Sequence, residues 1–246
     1  MLIKWEKLPK DMQTPEVYRY YNILAKRKGS LIIKRAFDIV ASIIMLIIFA
    51  IPMLVIALLI TIDSPGGVFY RQVRITQYGR EFRIHKFRTM VANADKMGSL
   101  VTVGEDSRIT KIGAFLRKYR LDEIPQLLDV LAGTMSYVGA RPEVPKYVNQ
   151  YTDEMKATLL LPAGITSEAS IRYKDEAKLL ESASDVDRVY VEQVLAEKMK
   201  YNLIAIENFN LFGEVATMLR TVFAVLGKEY DDYVVDLDDM RSKVES

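Results

Sequence analysis

The chain has 246 residues, of which half are hydrophobic and 27% are charged, and its formal net charge is +2. It has no cysteine and one histidine, which excludes disulfide scaffolds, cysteine metal sites and multi-histidine metal sites. The near-neutral charge disfavours nucleic-acid binding, although an arginine-rich segment in the first half of the chain would otherwise prompt it.

The first thirty residues form an amphipathic N-terminal extension, residues 1–30. The stretch "TPEVYRYYNILAKRKG" predicts a helix with Thr14 as its N-cap, Pro15 at its first position and Gly29 at its end. Its tyrosines and terminal basic cluster are typical of a helix at the headgroup level of a membrane. A packed surface helix fits the pattern equally well.

A long apolar segment follows, and we assign residues 31–62 to a membrane helix. Residues 39–62 carry no charge over 24 positions, which exceeds the roughly 20 residues needed to cross a bilayer. Basic residues flank both ends, and the positive-inside rule places both flanks in the cytoplasm. Pro52 removes a helical hydrogen bond and predicts a bend or break. We therefore expect a re-entrant helix kinked at Pro52, with a simple spanning helix as the alternative.

Residues 63–226 read as one α-rich α+β domain, and residues 227–246 as an acidic C-terminal tail. "VFYRQVRI" and "EFRIHKFRTM" flank a turn at "TQYG" and predict a small hairpin. "DSRITKIGAFLRKYR" and "DEIPQLLDVLAG" predict two helices, the second ending at Gly133. "SYVGARPEVPKYV" and "LLPAGITSEASIRY" are interpreted as loops, and the pattern is helical again from about residue 185 to 226.

Two adjacent acidic residues follow a group of basic residues in "RKYRLDEIPQLLDVL". The simplest interpretation is a helix start, with Asp122 as N-cap, Glu123 as first helical residue and Pro125 in the first turn. A second interpretation is chemical, because several basic side chains could converge on phosphates next to this pair. Those candidates are Arg74, Lys86, Arg88, Arg117 and Arg141.

A carboxylate beside bound phosphates has two uses. It can hold Mg²⁺, which takes oxygen ligands and often bridges to substrate phosphates. It can also attack phosphorus and form an acyl phosphate. No P-loop, dinucleotide fingerprint or G-x-S-x-G elbow is present, so phosphate chemistry at a membrane surface is as far as the residues alone lead.

The order of short motifs adds a resemblance. Eight pieces follow one another between residues 34 and 226: "KRAFDIV", a proline-containing apolar helix, "DSPGGVFYRQVR", "FRIHKFRTM", "RLDEIPQLLDVLAG", "MSYVGARPEVPKYV", "PAGIT" and "YNLIAIENFNLF". In this order they resemble the bacterial sugar transferases, the monotopic phosphoglycosyl transferases that start glycan assembly on polyprenyl phosphate.

The resemblance implies transfer of a sugar 1-phosphate from a UDP-sugar to polyprenyl (undecaprenyl) phosphate, with release of UMP and with Mg²⁺ as cofactor. It implies that Asp122 is the nucleophile that becomes a phosphosugar ester, and that Glu123 assists as metal ligand or proton acceptor. Arg117, Lys86, Arg88 and Arg141 then contact the diphosphate. The implied location is the bacterial cytoplasmic membrane, among membrane lipids, with the catalytic domain on the cytoplasmic face.

The chain departs from the family pattern at three places. The usual Ser-Pro at the helix break reads Ala50-Ile51-Pro52, and the usual Gly-Pro-Arg-Pro keeps Arg141 but has Ala140 before it. After "GIT" the chain reads "SEASIRY", which we expect to alter donor preference or the rim of the site.

Three questions stay open at this stage. Water could hydrolyse the acyl phosphate in place of transfer to lipid. The chain could also be a non-catalytic membrane scaffold of a glycan-assembly complex. Assembly into a homo-oligomer is undecided.

Overall fold

A computed structural model of the chain describes residues 2–94, 106–173 and 185–225. The helices are α1 (Pro15–Lys26), α2 (Lys28–Asp63), α3 (Lys111–Lys118), α4 (Gln126–Ala132), α5 (Pro145–Val148), α6 (Glu168–Arg172), α7 (Val186–Val189), α8 (Ala196–Glu207) and α9 (Leu211–Val225). The strands are β1 (Phe69–Ile75), β2 (Glu81–Phe87), β3 (Met135–Val138) and β4 (Ala163–Thr166). The predicted α-rich α+β class is confirmed, while the acidic tail lies outside the described residues.

Helix α1 is capped as predicted, with the Thr14 hydroxyl accepting from the Val17 N–H. Helix α1 ends at Lys26, and Arg27 separates it from α2. The prediction that Gly29 ends α1 is wrong, because Gly29 lies in the first turn of α2. Its buried face, including Val17 and Leu24, packs with residues of α8 in one core cluster. The packed-helix alternative is therefore confirmed for α1, because this face is not available to lipid.

Helix α2 is 36 residues long, about 54 Å at 1.5 Å per residue. The helix is continuous across Pro52, so the predicted break is not seen. Of the residues that the structure describes, only those of α2 make a helix long and apolar enough to cross a membrane, and 11% of its most apolar 18-residue window is buried. A core helix of a soluble protein would be mostly buried, so most of this surface needs another apolar environment.

The predicted hairpin is confirmed. Strands β1 and β2 pair antiparallel with Tyr70 opposite Lys86, and Gln77–Gly79 forms a 3₁₀ turn between them. Helix α4 ends as predicted at Gly133, whose φ of 84° is the left-handed conformation that glycine adopts without strain.

Both segments interpreted as loops contain short structure. Strands β3 and β4 pair in parallel, with Met135 opposite Ala163, and helices α5 and α6 follow them. The sequence signal failed because four-residue strands between proline and glycine residues show no readable alternation. The helical prediction for the C-terminal region is confirmed as far as Val225, with a π-helical turn at Tyr190–Leu195.

Candidate active site

The carboxylate pair lies in a 3₁₀ turn, Leu121–Glu123, between α3 and α4. The prediction that Asp122 caps a helix is wrong, because Pro125 occupies the N-cap position of α4. Arg120 precedes the turn and has a φ of 56°, in the left-handed region that residues other than glycine rarely adopt. The turn that follows Arg120 packs against β2.

Glu123 is held by two cations. Its Oε1 lies 2.8 Å from Lys86 Nζ of β2 and 2.6 Å from Arg141 Nη2, beyond the end of β3. Burial opposes ionisation of Glu123, but Arg141 and Lys86 outweigh it and hold the pKa of this carboxyl well below its usual range. Glu123 is therefore an ionised carboxylate and a weak proton acceptor.

Asp122 has the opposite environment. It is 9% exposed, and its Oδ1 is buried without a hydrogen-bond partner among the described residues. Burial, followed by the charge of Glu123, raises the pKa of Asp122, while Lys86, Arg117 and Arg120 counteract this. A buried carboxylate oxygen without a hydrogen bond is costly, and it has no hydrogen bond to lose when another group binds to it.

Close backbone packing positions Arg141. The Gly139 N–H donates to Thr166 O, and the Gly164 N–H donates to Ala140 O. A Cβ on Gly139 would lie 2.6 Å from the carbonyl oxygen of Pro162, so only glycine allows this approach. The β3–β4 pair, which the sequence did not reveal, thereby places Arg141 against Glu123.

The other three predicted phosphate ligands are positioned differently. Arg117 donates from Nε to Thr89 Oγ1 at 2.8 Å, and its charge reaches Asp122. Arg88 donates to the carbonyl oxygens of Ser64 and Pro65 and so fixes the exit of α2. Its role as a phosphate ligand stays a prediction.

Arg74 belongs to a second cluster of charges, built around Glu143. Arg74 donates to the Pro142 carbonyl oxygen and lies 3.9 Å from Glu143 Oε2. Tyr190 donates to Glu143 Oε1 at 2.7 Å, and Lys198 Nζ lies 3.8 Å from the same oxygen. No contact brings Arg74 to the Asp122–Glu123 pair, so its role at the phosphate also stays a prediction.

One pair of residues that supports the site was missed from the sequence. Asp129 of α4 accepts from the His85 N–H at 2.8 Å through Oδ2, and its Oδ1 lies 2.7 Å from His85 Nδ1. This double contact fixes α4 to β2, and therefore Glu123 to Lys86. In the sequence, the one feature that could have drawn attention to this pair is that His85 is the single histidine of the chain.

The residues fit a divalent cation in part. Among the described residues there is no cluster of three or more metal-ligating side chains. Mg²⁺ commonly needs only one or two carboxylates when substrate phosphates supply further oxygens. The partnerless Oδ1 of Asp122 matches that donor set, whereas Oε1 of Glu123 is already bound by two cations.

Comparison with known proteins identifies the family of the chain. A family model described as bacterial sugar transferase matches residues 29–228. The chain belongs to the bacterial sugar transferase family.

Three relatives illustrate the match. The UDP-N-acetylgalactosamine-undecaprenyl-phosphate N-acetylgalactosaminephosphotransferase of Aeromonas hydrophila is 34% identical over 79% of this chain and 44% of its own length. A putative undecaprenyl-phosphate N-acetylgalactosaminyl 1-phosphate transferase of Bacillus subtilis is 39% identical over 64% of this chain and 87% of its own length. The UDP-glucose:undecaprenyl-phosphate glucose-1-phosphate transferase of Escherichia coli is 32% identical over 78% of this chain and 40% of its own length. The chain thus spans less than half of two of these relatives.

Proposed function

We propose that the chain is a phosphoglycosyl transferase that moves a sugar 1-phosphate from a UDP-sugar to polyprenyl phosphate, namely undecaprenyl phosphate, and releases UMP. The single observation that carries the proposal is the partnerless Oδ1 of Asp122 next to a glutamate bound by two cations. The names of the relatives supply the acceptor and the class of donor.

In the first step Asp122 attacks the phosphorus that carries the sugar. A bond forms between a carboxylate oxygen of Asp122 and phosphorus, and the bond from phosphorus to the bridging oxygen breaks, so that UMP leaves with the electron pair. Arg117 and Arg120 stabilise the negative charge around Asp122, whose ionised form their charges favour. Lys86 also favours the ionised form of Asp122, and together with Arg141 it compensates the charge of Glu123.

In the second step a phosphate oxygen of the polyprenyl phosphate attacks the same phosphorus. The bond from phosphorus to Asp122 breaks, the carboxylate is restored, and a polyprenyl diphosphate sugar leaves. Covalent catalysis divides one transfer between a soluble donor and a lipid acceptor into two displacements at one carboxylate.

We also propose that Mg²⁺ is the cofactor, which Asp122 and Glu123 would hold together with the donor diphosphate. When bound, this ion neutralises phosphate charge in the transition state. Glu123 stays ionised between Lys86 and Arg141. Its role is therefore that of a negative charge and not of a general base, because its low pKa makes it a poor proton acceptor.

The contacts of α2 support a placement of both of its ends on one membrane face. Near one end, Lys34 donates to Val138 O at 3.0 Å, and near the other Ile60 packs with Phe87 and Leu116. These two positions are about 39 Å apart along a straight helix, yet both touch the same domain. A helix tied to one domain near both ends does not carry its ends to opposite sides of a bilayer. The proposed location is the cytoplasmic face of the bacterial cytoplasmic membrane.

Helix α9 supports the same orientation. Its two charged residues turn inward, Glu214 to Lys34 and Arg220 to Glu168. The outward face is apolar, and its side chains include Phe212 at 89% exposed and Leu219 at 56% exposed. We propose that this face rests in the lipid interface beside α2, with membrane lipids as its partner.

The function is tested by measuring UMP release from a panel of UDP-sugars, with and without undecaprenyl phosphate, in the presence of Mg²⁺. We expect turnover with one or a few donors only when the lipid is present. Release without lipid at the same rate would favour hydrolysis, and no release from any donor would favour a non-catalytic scaffold.

The topology is tested by cysteine labelling, because the natural chain has no cysteine. Glu16→Cys and Ala92→Cys introduce single exposed thiols on the two sides of α2. We expect a membrane-impermeant reagent to label both only from the cytoplasmic side. Labelling of residue 16 from the outer side alone would show a spanning helix.

A further inference from the structure

A cavity of about 220 Å³ lies between the α8–α9 pair and the ends of β3 and β4. Apolar side chains such as Val138 and Phe209 form part of its wall. Polar side chains, among them Asn202, Glu168 and Arg220, form another part. A largely apolar cavity with a few converging hydrogen-bonding groups is the usual form of a small-molecule site.

Asn202 is the most informative of these residues. It is 6% exposed, and its one recorded hydrogen bond among the described residues runs from Nδ2 to Met199 Sδ at 3.9 Å. Sulfur is a weak acceptor, so most of the hydrogen-bonding capacity of this buried amide is left to the cavity. Because buried amides are normally satisfied, the side chain is best explained by a ligand that completes its hydrogen bonds.

The segment "SEASIRY", which departs from the family pattern, forms the opposite wall. Ser167 and Glu168 line the cavity, and Glu168 lies 3.0 Å both from Nε of Arg172 and from Nη1 of Arg220. The carboxylate and both guanidinium groups are fixed by these contacts and still partly exposed. Such paired groups offer acceptors and donors side by side, the arrangement that neighbouring hydroxyl groups of a sugar ring require.

The cavity adjoins the candidate active site. Ala140 lines the cavity, and the next residue, Arg141, contacts Glu123 at 2.6 Å. A donor with its diphosphate at Asp122 and Arg141 therefore has one end within reach of the cavity. A hydrocarbon chain fits less well, because it would leave the buried amide of Asn202 without a hydrogen-bond partner in the cavity.

We propose that this cavity binds a hydroxyl-bearing ring of the nucleotide sugar and makes Asn202 a specificity-determining residue. The ring is either the transferred sugar or the ribose, which share this chemistry. The proposal rests on the proposed function, since it names a subsite for the same donor.

Direct binding tests the proposal independently of turnover. The full chain in lipid nanodiscs is titrated with UDP-N-acetylgalactosamine, UDP-glucose, UMP and, in a separate series, polyprenyl phosphate. Asn202→Leu replaces the amide with an apolar side chain of similar size. Ala205→Phe fills the cavity from an exposed position and so leaves the core intact if Asn202→Leu does not fold. Asn22→Leu on α1, which is not part of the cavity wall, is the matched control.

We expect Asn202→Leu and Ala205→Phe each to weaken UDP-sugar binding about tenfold, and Asn22→Leu to leave it unchanged. Equal weakening of UMP binding identifies the ribose, and unchanged UMP binding identifies the transferred sugar. Wild-type affinity in both cavity variants overturns the proposal, as does a change confined to polyprenyl phosphate. Absence of UDP-sugar binding to the wild type would instead overturn the proposed function together with this subsite.

Discussion

Two glutamates of this chain lie in similar clusters of charge and differ in their neighbours. Glu123 is bound by Lys86 and Arg141, and Glu143 lies between Arg74 and Lys198. Each cluster surrounds one buried carboxylate with cations. Beside Glu123, however, stands Asp122, with a buried oxygen that has no partner, whereas the contacts of Glu143 reach both of its oxygens.

Under the proposed function, the difference separates a reactive cluster from a supporting one. A carboxylate with all its oxygens paired holds segments together, because removing one charge leaves the others buried without compensation. A carboxylate with a free oxygen beside such a cluster is destabilising, and it is available for chemistry. The segment from Gly139 to Val144 joins the two clusters, since it carries both Arg141 and Glu143.

Asp122→Asn should have the largest effect on activity. An amide has the same shape but is a poor nucleophile, so we expect UMP release to fall by roughly a thousandfold or more. Because the buried charge is removed, the melting temperature should stay the same or rise. Activity and thermal melting are measured on the same preparation. Substantial turnover in Asp122→Asn would contradict its role as the nucleophile.

Glu123→Gln should reduce both activity and stability. The amide keeps the shape but leaves Lys86 and Arg141 with less compensation, so we expect kcat to fall by about a hundredfold. The free energy of unfolding should fall by about 3 kcal/mol. Steady-state kinetics and urea unfolding check the two values. A variant with unchanged kcat would place Glu123 outside the catalytic machinery.

Glu143→Gln is the matched change in the second cluster. We expect a loss of about 3 kcal/mol in the free energy of unfolding, as for Glu123→Gln. At a temperature where the variant is folded, kcat should stay within about twofold of the wild type. Equal loss of kcat in both variants would show that the two clusters act as one.

Part of this site and of the fold was predictable from the sequence. Lys86 and Arg141 were predicted from charge and motif order as diphosphate contacts, and the structure places both of them on Glu123. The sequence did not predict which basic side chains contact the carboxylates. Arg88 was a candidate like Lys86 and Arg141, but it donates to backbone carbonyl oxygens where α2 ends. The hairpin was found because its strands are seven residues long with a clear turn, while the four-residue β3 and β4 were missed.

The environment of Asp122 was predictable only in part. The sequence places it beside arginines, whose positive charges by themselves would lower its pKa. The structure shows that burial and Glu123 outweigh the cations and raise the pKa of Asp122. Burial depends on packing between the turn, β2 and the segment after β3, which are distant in the chain.

The pH dependence should show the smallest effect. Since the pKa of Asp122 is raised above 3.8, activity should fall on acidification at a higher pH than for an ordinary aspartate. Glu123 behaves in the opposite way, because its folded pKa lies below the unfolded value. Its contribution to stability is therefore complete above about pH 4.5 and is lost as the pH falls towards the folded pKa. Activity and unfolding are followed across this range. Loss of stability before loss of activity would contradict the assignment of the two carboxylates.

The most direct test of the central claim is to trap the covalent intermediate. The chain is incubated with Mg²⁺ and a UDP-sugar that carries a labelled β-phosphate, without polyprenyl phosphate, and is then digested for mass spectrometry. We predict one phosphosugar per chain, attached to Asp122, released as a polyprenyl diphosphate sugar when the lipid is added, and absent from Asp122→Asn. Turnover with lipid but no label on the protein, or a label on another residue, would contradict the account.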